Sequence, residues 1–484
     1  MKKLFASVLM TLLLGNWLLP PLCADASETV NLNVDNKDTK ENSAFDGFLI
    51  GMPEGWDIQL FSKGSSWLRE IVPEPVIDGI YWVESLQVVQ ELKKLGVIEF
   101  FEPNYYATLF DDSGDNSNGW PYEVLTAAYA GSYGLNGSGI RIGIIDSGVD
   151  PNNPDLQNAK LLQGHNYIQD STDTSDDVYH GTKVTQVICG DHNGLGLGGI
   201  AADSEIVPLK CFSALGEGTV KILAEAIAAA ANDYQCDIIN MSWGLGNNSK
   251  TLYDALQKAY EAGVTLVAAA GNVTSSYPQG SKIYPAAYPE VISVSAVNSS
   301  LEVLSSSQRN DQVFVCAPGG GVPFVDEGGN ITYDSGTSFA CPFVTAEIAV
   351  LQELDPALDR ETIMNLMVER AVDLGDSGYD TAYGHGLLPL DKLIGQHWSR
   401  FYTVESDGQS KCGVSGWTLN HGGSRALFAA YDGSGKMMEF HILATELDIG
   451  FYDYVFTEKK VGKYMVAYTD KSYIPLSFCE IYSP

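Results

Sequence analysis

The stretch "CDIINMSWGLGNNSKTLYDALQKAYEAGVTLVAAAGN", residues 236–272, decides the fold of this chain. It opens with an apolar run, passes through a helical pattern over "TLYDALQKAYEAG", and returns to a second apolar run. Two near-continuous apolar strands joined by a helix are typical of a parallel sheet that is covered on both faces. The second run ends at Asn272, and in such sheets function gathers at the carboxyl ends of the strands.

The same alternation of strand and helix continues on both sides of this stretch. Apolar strand segments occur at "IRIGIID" (140–146), "SEIVPLKCF" (204–212) and "VISVSAV" (291–297), and a further helical pattern covers 219–233. Val, Ile and Ala dominate these segments, as expected of strands that are buried on both faces. The sequence therefore predicts an α/β domain, built on a parallel sheet, over residues 113–395.

Two shorter regions flank this domain. Residues 27–112 combine short strand-like runs with one amphipathic helix, "ESLQVVQELKKLG", and an acidic polar stretch at 111–120 is typical of an exposed linker. Residues 396–484 alternate apolar and polar side chains between turns rich in Gly and Asp. We therefore expect an N-terminal α+β domain and a small C-terminal all-β domain of the sandwich type.

Charge and the first residues bear on location and partners. Lys and Arg number 28 against 61 Asp and Glu, a formal net charge of −33, so we exclude nucleic acid and anionic lipid as partners. Residues 1–26 combine Lys2 and Lys3, an apolar run and a small-x-small site at Ala24–Ala26, which predicts a secretory signal. A membrane anchor is the alternative, but Pro20 interrupts the run. We expect a secreted, extracellular protein without a stable membrane anchor.

Eight cysteines do not make a disulfide scaffold in a chain of 484 residues. Five lie inside apolar stretches and are expected to be buried free thiols: Cys189, Cys211, Cys236, Cys316 and Cys341. Cys412 and Cys479 stand apart near the end of the chain and are candidates for a disulfide with each other.

A second important stretch is "YDSGTSFACPFVTAEIAVLQEL", residues 333–354, in which Ser338 precedes an apolar helical run. A serine there is usually only a helix cap. Asp146 at the end of an apolar strand and His180 at the first turn of a predicted helix favour another role. A serine hydroxyl becomes a nucleophile when an imidazole takes its proton and a buried carboxylate orients that imidazole. The side-chain amide of Asn272 offers a donor for the resulting oxyanion.

Several motifs, in their order along the chain, resemble the subtilisin family of serine endopeptidases. They are the segments around Asp146 and His180, "INMSWG", "AAAGN", "YPAAYPEVISVSAV", "APGG" and "SGTSFACPFVTA". The resemblance implies hydrolysis of peptide bonds in protein or peptide substrates. It also implies that Asp146 orients the imidazole of His180, which acts as general base and then as general acid. By the same resemblance, Ser338 is the nucleophile and Asn272 stabilises the oxyanion.

The same resemblance implies a substrate groove and a role for the N-terminal region. The family holds an extended peptide as an added strand between two segments, which here are Leu215, Gly216, Glu217 and Gly218, and Ser242, Trp243 and Gly244. Residues 27–112 resemble the family's inhibitory propeptide, and an unrelated N-terminal domain is the alternative. We therefore expect a monomeric proenzyme that processes itself and is inhibited by its own propeptide.

The family often binds calcium at a loop that corresponds to "GLGLGG", residues 194–199. Asp155 and Asn193 match its ligands, and Leu195 and Leu197 offer carbonyl oxygens, which suit Ca²⁺. A capped turn without a metal is the alternative, because few carboxylates are present. The loop also fits G-x-G-x-x-G, but it follows a predicted helix and not a strand, which argues against a dinucleotide site.

The chain departs from the family pattern at three places. Lys183 replaces a second histidine, Thr185-Gln186 replace Ala-Gly, and Trp243 replaces a common leucine, which favours a narrower cleft. These changes concern specificity and not the type of reaction. An esterase of the α/β-hydrolase class is disfavoured because no G-x-S-x-G elbow is present. A catalytically inactive binding protein is disfavoured because all four candidate catalytic residues are present.

Overall fold

A computed structural model describes residues 45–53, 74–94, 96–109, 119–395, 397–406, 409–419, 424–434, 437–445, 449–457, 463–470 and 475–482. The expected signal at 1–26 and most of the expected linker at 111–120 lie outside these ranges.

The N-terminal region is a small antiparallel sheet with one helix. Its elements are β1 (Phe45–Gly51), β2 (Glu74–Ile77), β3 (Ile80–Val83), α1 (Leu86–Lys94) and β4 (Phe100–Leu109). Strand β1 pairs with both β3 and β4, and β2 pairs with β3. Helix α1 lies within the predicted amphipathic segment, and its Val89 and Leu92 are buried. The α+β character expected of this region is therefore confirmed within its described residues.

The central region alternates strands and helices as predicted. Its elements are α2 (Trp120–Val124), α3 (Ala127–Ser132), β5 (Arg141–Asp146), β6 (Lys160–Leu161), β7 (His165–Asn166), α4 (His180–Cys189), β8 (Glu205–Lys210), β9 (Glu217–Thr219), α5 (Val220–Asn232), β10 (Ile238–Met241), β11 (Trp243–Gly244), α6 (Lys250–Glu261), β12 (Thr265–Ala269), β13 (Val291–Val297), β14 (Val315–Pro318), β15 (Val322–Val325), β16 (Ile331–Asp334), α7 (Thr337–Leu354), α8 (Arg360–Arg370) and α9 (Leu390–Ile394).

Eight of these strands form one parallel sheet in the order β14-β13-β12-β10-β5-β8-β6, with β7 also paired to β8. Helix α7 lies against β10, β12, β13 and β14, whereas α5 and α6 pack together over the other face. The side chains of β12 divide accordingly, with Val267 and Ala269 in one hydrophobic core and Leu266 and Ala268 in the other. The predicted parallel sheet, covered on both faces, is confirmed.

A second sheet crosses from the N-terminal region into the central one. Its strand order is β11-β4-β1-β3-β2, and β9 also pairs with β4. Strand β4 is therefore held between β1 on the N-terminal side and two short strands of the central region. The family resemblance predicted an extended chain between the two groove segments, but no strand pattern in the sequence indicated β9 and β11, because they are only three and two residues long.

The C-terminal region consists of strands. They are β17 (His397–Ser406), β18 (Gln409–Leu419), β19 (Ser424–Tyr431), β20 (Met437–Thr445), β21 (Ile449–Val455), β22 (Lys463–Asp470) and β23 (Pro475–Tyr482). They form two antiparallel sheets, β17-β18-β21 and β20-β19-β22-β23. Val414 of the first sheet shares a core with Phe428 and Val466 of the second. The expected all-β sandwich is confirmed.

Six cysteines whose side chains the structure describes are buried free thiols: Cys189, Cys211, Cys236, Cys316, Cys341 and Cys412. The five expected free thiols are confirmed. The suggested disulfide of Cys412 is wrong in this structure, because its sulfur is a free thiol, and the side chain of Cys479 lies outside the described residues. Among the described helices, none is both long and apolar enough to cross a membrane.

Candidate active site

Asp146 and His180 meet at the carboxyl end of the parallel sheet. Asp146 is the last residue of β5 and His180 the first of α4, and both are buried. The Oδ1 of Asp146 lies 2.7 Å from the Nδ1 of His180 and also accepts a hydrogen bond from the N–H of Ser147. A Cβ on Gly181 would lie 2.2 Å from the carbonyl oxygen of Gly148, so only glycine allows the helix to begin this close to the strand.

Ser338 is not the cap of its helix. Helix α7 begins at Thr337, its N-cap is Gly336, and no side chain caps it. The hydroxyl of Ser338 instead donates to the carbonyl oxygen of Ser242 at 2.7 Å, and the hydroxyl of Ser242 donates back to the carbonyl oxygen of Ser338 at 2.8 Å. The interpretation of Ser338 as a helix cap is therefore wrong, since its side chain faces another strand end.

A buried polar network supports this arrangement. The side-chain N–H of Asn240 donates to the hydroxyl of Ser242 at 2.9 Å. The side-chain oxygen of Asn240 accepts from the hydroxyl of Thr345 and from the thiol of Cys341, both on α7. Burial raises the pKa of the Cys341 thiol to about 12, so that thiol stays neutral beside Ser338. The sequence motif "INMSWG" covers Asn240 and Ser242, but nothing in it indicated these contacts.

Asn272 follows β12 and projects toward the start of α7. Its side-chain oxygen accepts hydrogen bonds from the N–H and the hydroxyl of Thr337, at 3.1 and 2.9 Å. Its Nδ2 is buried and has no hydrogen-bond partner in the described part of the chain. A buried N–H group without a partner is costly, so this amide is suited to donate to an oxygen of a bound ligand.

His180 lies beside the segment that contains Ser338. Its ring centroid is 5.5 Å from that of Phe339, the residue after Ser338, and α4 packs against α7. The structure thus brings together Asp146, His180, Ser338 and Asn272, which are far apart in the sequence. Acyl transfer needs these four groups: an orienting carboxylate, a base, a nucleophile and an oxyanion donor.

A buried lysine that sequence reasoning missed fixes the backbone next to Asp146. The side chain of Lys210 is 3% exposed, and its Nζ donates to the carbonyl oxygens of Ser147 and Ser175, at 2.6 and 2.9 Å. It also pairs with Asp177 at 2.9 Å. The signal was present in the sequence as a single charge in the apolar segment "SEIVPLKCF".

The seven predicted groove residues flank strand β4. Glu217 and Gly218 belong to β9, Trp243 and Gly244 belong to β11, and both strands pair antiparallel with β4. The register pairs Ala107 with Gly218, Thr108 with Glu217 and Gly244, and Leu109 with Trp243. Gly216, at a φ of 71°, and the exposed Leu215 form the turn before β9, and Ser242 precedes β11. An extended chain therefore lies between the two segments.

Trp243 is fully buried in this structure. Its indole packs in the second hydrophobic core, with its ring 6.0 Å from that of Phe212. A Cβ on the groove residue Gly218 would lie 2.5 Å from the carbonyl oxygen of Cys211, so glycine is required for β9 to approach the residue that follows β8.

The predicted calcium ligands lie around one loop. Asp155 is buried, and its Oδ1 has no hydrogen-bond partner within the described ranges. Burial, and then the negative charge of Asp191, raise the pKa of Asp155 to about 7. The side-chain N–H of Asn193 donates to the carbonyl oxygen of Pro154, and its Oδ1 accepts from the N–H of Leu195.

Leu197 lies on the same loop, at a half-buried position. No group of three or more His, Cys, Asp or Glu side chains that could hold a metal occurs in the part of the chain that the structure describes. The candidate donors are therefore one carboxylate, one amide and backbone carbonyls.

The central region of the chain matches a known protein family. The model of the subtilase family matches residues 137–386, which include all four candidate catalytic residues and both groove segments.

The chain is similar to several curated proteases. It is 36% identical over 314 residues to the minor extracellular protease Epr of Bacillus subtilis (strain 168), covering 62% of this chain and 47% of that protein. It is 33% identical over 273 residues to subtilisin DY of Bacillus licheniformis, covering 56% of this chain and 97% of that protein. It is 31% identical over 305 residues to subtilisin E of Bacillus subtilis (strain 168), covering 62% of this chain and 77% of that protein. The chain thus spans about half of the first protein and nearly all of the second.

Proposed function

The chain belongs to the subtilase family of serine endopeptidases, and we propose that it is a secreted proenzyme that cleaves extended protein segments through an acyl-enzyme on Ser338. The observation that carries the proposal is the 2.7 Å contact of Asp146 with His180, beside Ser338 and the buried amide of Asn272. These groups supply every role that acyl transfer from a peptide requires.

The first half of the reaction forms the acyl-enzyme. Asp146 accepts the Nδ1–H of His180, so Nε2 is the basic nitrogen. When a peptide binds, the Ser338 hydroxyl turns from the carbonyl of Ser242 to the imidazole, which takes its proton while the oxygen attacks the scissile carbonyl carbon. The carbonyl oxygen becomes an oxyanion, which accepts hydrogen bonds from Asn272 Nδ2 and from the N–H of Ser338.

The second half releases both products. The imidazolium of His180 gives its proton to the leaving nitrogen, and the C–N bond breaks to free the amine product. A water molecule then loses a proton to the same imidazole and attacks the ester of Ser338. Proton return to Ser338 frees the acid product and restores the enzyme. Asp146 stabilises the imidazolium in both halves.

Residues 27–112 act as an inhibitory propeptide. Two features support this role, and the first is that β4 occupies the groove between β9 and β11. A chain that forms backbone hydrogen bonds with both groove segments excludes a substrate from them.

The second feature is that β4 caps two helices of the peptidase. The carboxylate of Glu102 accepts from the hydroxyl of Ser249 and from the backbone N–H groups of Lys250 and Thr251, at 2.7 to 2.8 Å, at the start of α6. The side-chain oxygen of Asn104 accepts from the N–H of Lys221 at 2.8 Å, at the start of α5. Helix N-termini leave N–H groups unsatisfied and favour a negative charge, so these contacts stabilise both domains together.

Export and maturation complete the proposal. The signal pattern of residues 1–26 directs secretion, and one similar protein carries the name extracellular protease. Cleavage of the chain between the propeptide and the peptidase by the enzyme itself then yields the active form, which we expect to be monomeric.

A calcium ion fits the loop around Asp155. A buried carboxylate oxygen without a partner in the described residues is suited to bind a cation, and Asn193, Leu195 and Leu197 add neutral oxygens of the type that calcium prefers. When bound, calcium supplies a positive charge that stabilises the ionised form of Asp155. Its role in this proposal is structural, because Asp155 takes no part in the reaction.

Labelling with a fluorophosphonate tests the proposed activity directly, because only an activated serine reacts at a useful rate. We expect the processed protein to be labelled at Ser338 and to hydrolyse peptides of a denatured protein substrate. The Ser338→Ala variant serves as the control. A processed protein that resists the reagent and hydrolyses neither peptides nor simple esters would return the inactive binding protein as the better description.

A further inference from the structure

The hairpin of β15 and β16 leads directly into the nucleophile. Strand β16 ends at Asp334, and the chain reaches Ser338 within the next four residues. Helix α4, which begins with His180, packs against β15. Helix α4, which carries His180, therefore contacts the hairpin that precedes Ser338, and the relative position of the two residues depends on what holds α4 and the hairpin together.

Two side chains of α4 hold the hairpin. The Nζ of Lys183 forms an ion pair with Asp334, and the two side chains are only 17% and 18% exposed. The amide of Gln186 accepts from the N–H of Val325 at 2.8 Å and donates to its carbonyl oxygen at 2.9 Å. Lys183 and Gln186 are two of the positions at which the chain departs from the family pattern. The proposed roles of the active site leave both unexplained.

One aromatic ring, that of Phe339, connects the ion pair with the imidazole. The Nζ of Lys183 is 6.0 Å from the ring centroids of both Phe324 and Phe339. The ring of Phe339 is in turn 5.5 Å from that of His180. Both phenylalanines are buried, so the surroundings are apolar and screen a charge poorly.

We propose that Lys183 and Asp334 are positioning residues of this endopeptidase, whose ion pair locks the nucleophile's hairpin onto the helix of His180 and keeps the charge beside the imidazole balanced. The inference rests on the proposed roles of His180 and Ser338. Neither Lys183 nor Asp334 takes part in bond making. Their effect reaches the reaction through the position and the basicity of the imidazole.

Other charged groups on the elements packed around α4 have their own partners or are exposed to solvent. Asp146 bonds to His180 itself. Asp176 accepts from backbone N–H groups at the start of α4, and Lys210 pairs with Asp177. Asp326, in the turn of the hairpin, accepts from the N–H of Asn330, and Glu327 beside it is exposed. Changes at Lys183 or Asp334 leave these contacts in place.

Removal of one partner at a time shifts the pH profile in opposite directions. Lys183→Met leaves the Asp334 carboxylate unbalanced, so the imidazole keeps its proton to a higher pH and the acid limb of kcat/KM moves up. Asp334→Asn leaves the ammonium unbalanced and moves the same limb down. Through the ring of Phe339, the Nζ of Lys183 lies within about 12 Å of the imidazole, and a charge at that distance in poorly screening surroundings shifts the limb by about half a pH unit.

The test compares matured wild-type enzyme with Lys183→Met, Asp334→Asn and the exchanged variant Lys183→Asp/Asp334→Lys. Hydrolysis of one chromogenic peptide is followed from about pH 5 to pH 10. Lys183→Arg keeps the charge and is expected to retain the acid limb of the wild type. The exchanged variant forms the ion pair in the reverse direction, so it is expected to recover part of the kcat that the single variants lose. Only processed variants enter the comparison, because residues 27–112 would block the groove of a precursor, and a Lys183→Met that fails to fold or mature leaves the nearly isosteric Asp334→Asn to decide.

A matched control breaks an ion pair away from the site. Arg141 and Glu205 pair at 2.7 Å across the other ends of β5 and β8. Arg141→Met should lower the melting temperature without moving the acid limb. If the acid limbs of Lys183→Met and Asp334→Asn do not shift, or shift in the same direction, while the wild type is active, the inference is overturned. A wild type that hydrolyses no peptide would instead overturn the proposed function.

Discussion

Thr337 fixes the orientation of Asn272 by donating two hydrogen bonds to its side-chain oxygen, one from the backbone N–H and one from the hydroxyl. An amide whose oxygen is occupied in this way can present only its nitrogen to a ligand. Since both residues are buried, the Nδ2 of Asn272 is set in place before any substrate arrives. Donors that need no rearrangement during the reaction stabilise a transition state most effectively.

Asn272→Ala is expected to fold normally and to lose activity mainly in kcat, by about 10²- to 10³-fold, because an oxyanion donor acts in the transition state. Thr337→Val removes the hydroxyl bond but keeps the backbone N–H bond, so its loss should be smaller. Steady-state kinetics on one peptide distinguish the two effects. A rise in KM at constant kcat would show instead that Asn272 binds the substrate.

Ser338→Ala is expected to lower kcat by about 10⁶-fold, with the oxyanion donors and substrate binding accounting for the activity that remains. The fold should survive, because the hydroxyl makes one hydrogen bond and caps no helix. The variant should also accumulate as a precursor that retains residues 27–112. Mass spectrometry of the secreted protein checks this, and a correctly cleaved but inert variant would show that another protease carries out maturation.

A purified fragment of residues 27–112 is expected to inhibit the processed enzyme at micromolar concentration, because β4 fills the groove and its side chains cap α5 and α6. Glu102→Ala in that fragment removes the acceptor of three hydrogen bonds and should weaken inhibition about tenfold or more. Inhibition constants from progress curves provide the measurement.

Glu99→Ala is the matched control for that experiment. Glu99 is an exposed carboxylate three residues before Glu102, and its replacement by alanine removes the same charge from the fragment. Its loss should leave inhibition unchanged. Equal weakening by Glu99→Ala and Glu102→Ala would mean that the net charge of the fragment matters and the helix caps do not.

Calcium should stabilise the protein increasingly from about pH 5 to pH 8. Without the metal, burial raises the pKa of Asp155 to about 7, whereas the same carboxyl has a pKa near 4 in the unfolded chain. The neutral carboxyl therefore contributes its full stability below about pH 4, and this contribution is lost as the pH rises through about 7. Calcium binds the ionised carboxylate and reverses that loss. Melting temperatures of the Ser338→Ala precursor, with calcium and with chelator, should therefore diverge over this window.

Asp155→Asn is the control for the metal, because it removes the titrating group at nearly constant size. Its melting temperature without calcium should no longer fall over the same pH window, and added calcium should raise it much less. Identical melting curves of the parent protein with calcium and with chelator at pH 8 would remove the metal from the proposal.

The sequence predicted those features that depend on a repeating pattern or on a residue at the end of one. Apolar runs that end at Asp146 and Asn272 predicted buried parallel strands. Asp146 ends β5 and Asn272 follows the end of β12, and β10 lies between these two strands in the sheet. The helix that begins at His180 was predicted in the same way. These elements follow from local burial, which the order of apolar and polar residues reveals directly.

Contacts between distant segments could not be predicted from any such pattern. The ion pair of Lys183 with Asp334 joins residues 151 positions apart, and the bonds of Thr337 to Asn272 join residues 65 apart. The hydroxyl of Ser338 has no local signal that indicates Ser242 as its partner. Such contacts depend on strand order and helix packing, and the periodicity of apolar residues does not determine either of them.

The position of β4 between β9 and β11 has a consequence for what the mature enzyme can cut. When the propeptide departs, two short strand edges remain with a vacant place between them, and their separation is about twice the interstrand spacing, roughly 9.5 Å. A single extended chain fits a slot of that width, whereas a helix, with a diameter of about 10–12 Å including its side chains, does not. Under the proposed function, the fold of a target protein therefore protects it from cleavage, and we expect cuts in loops, frayed ends and unfolded chains.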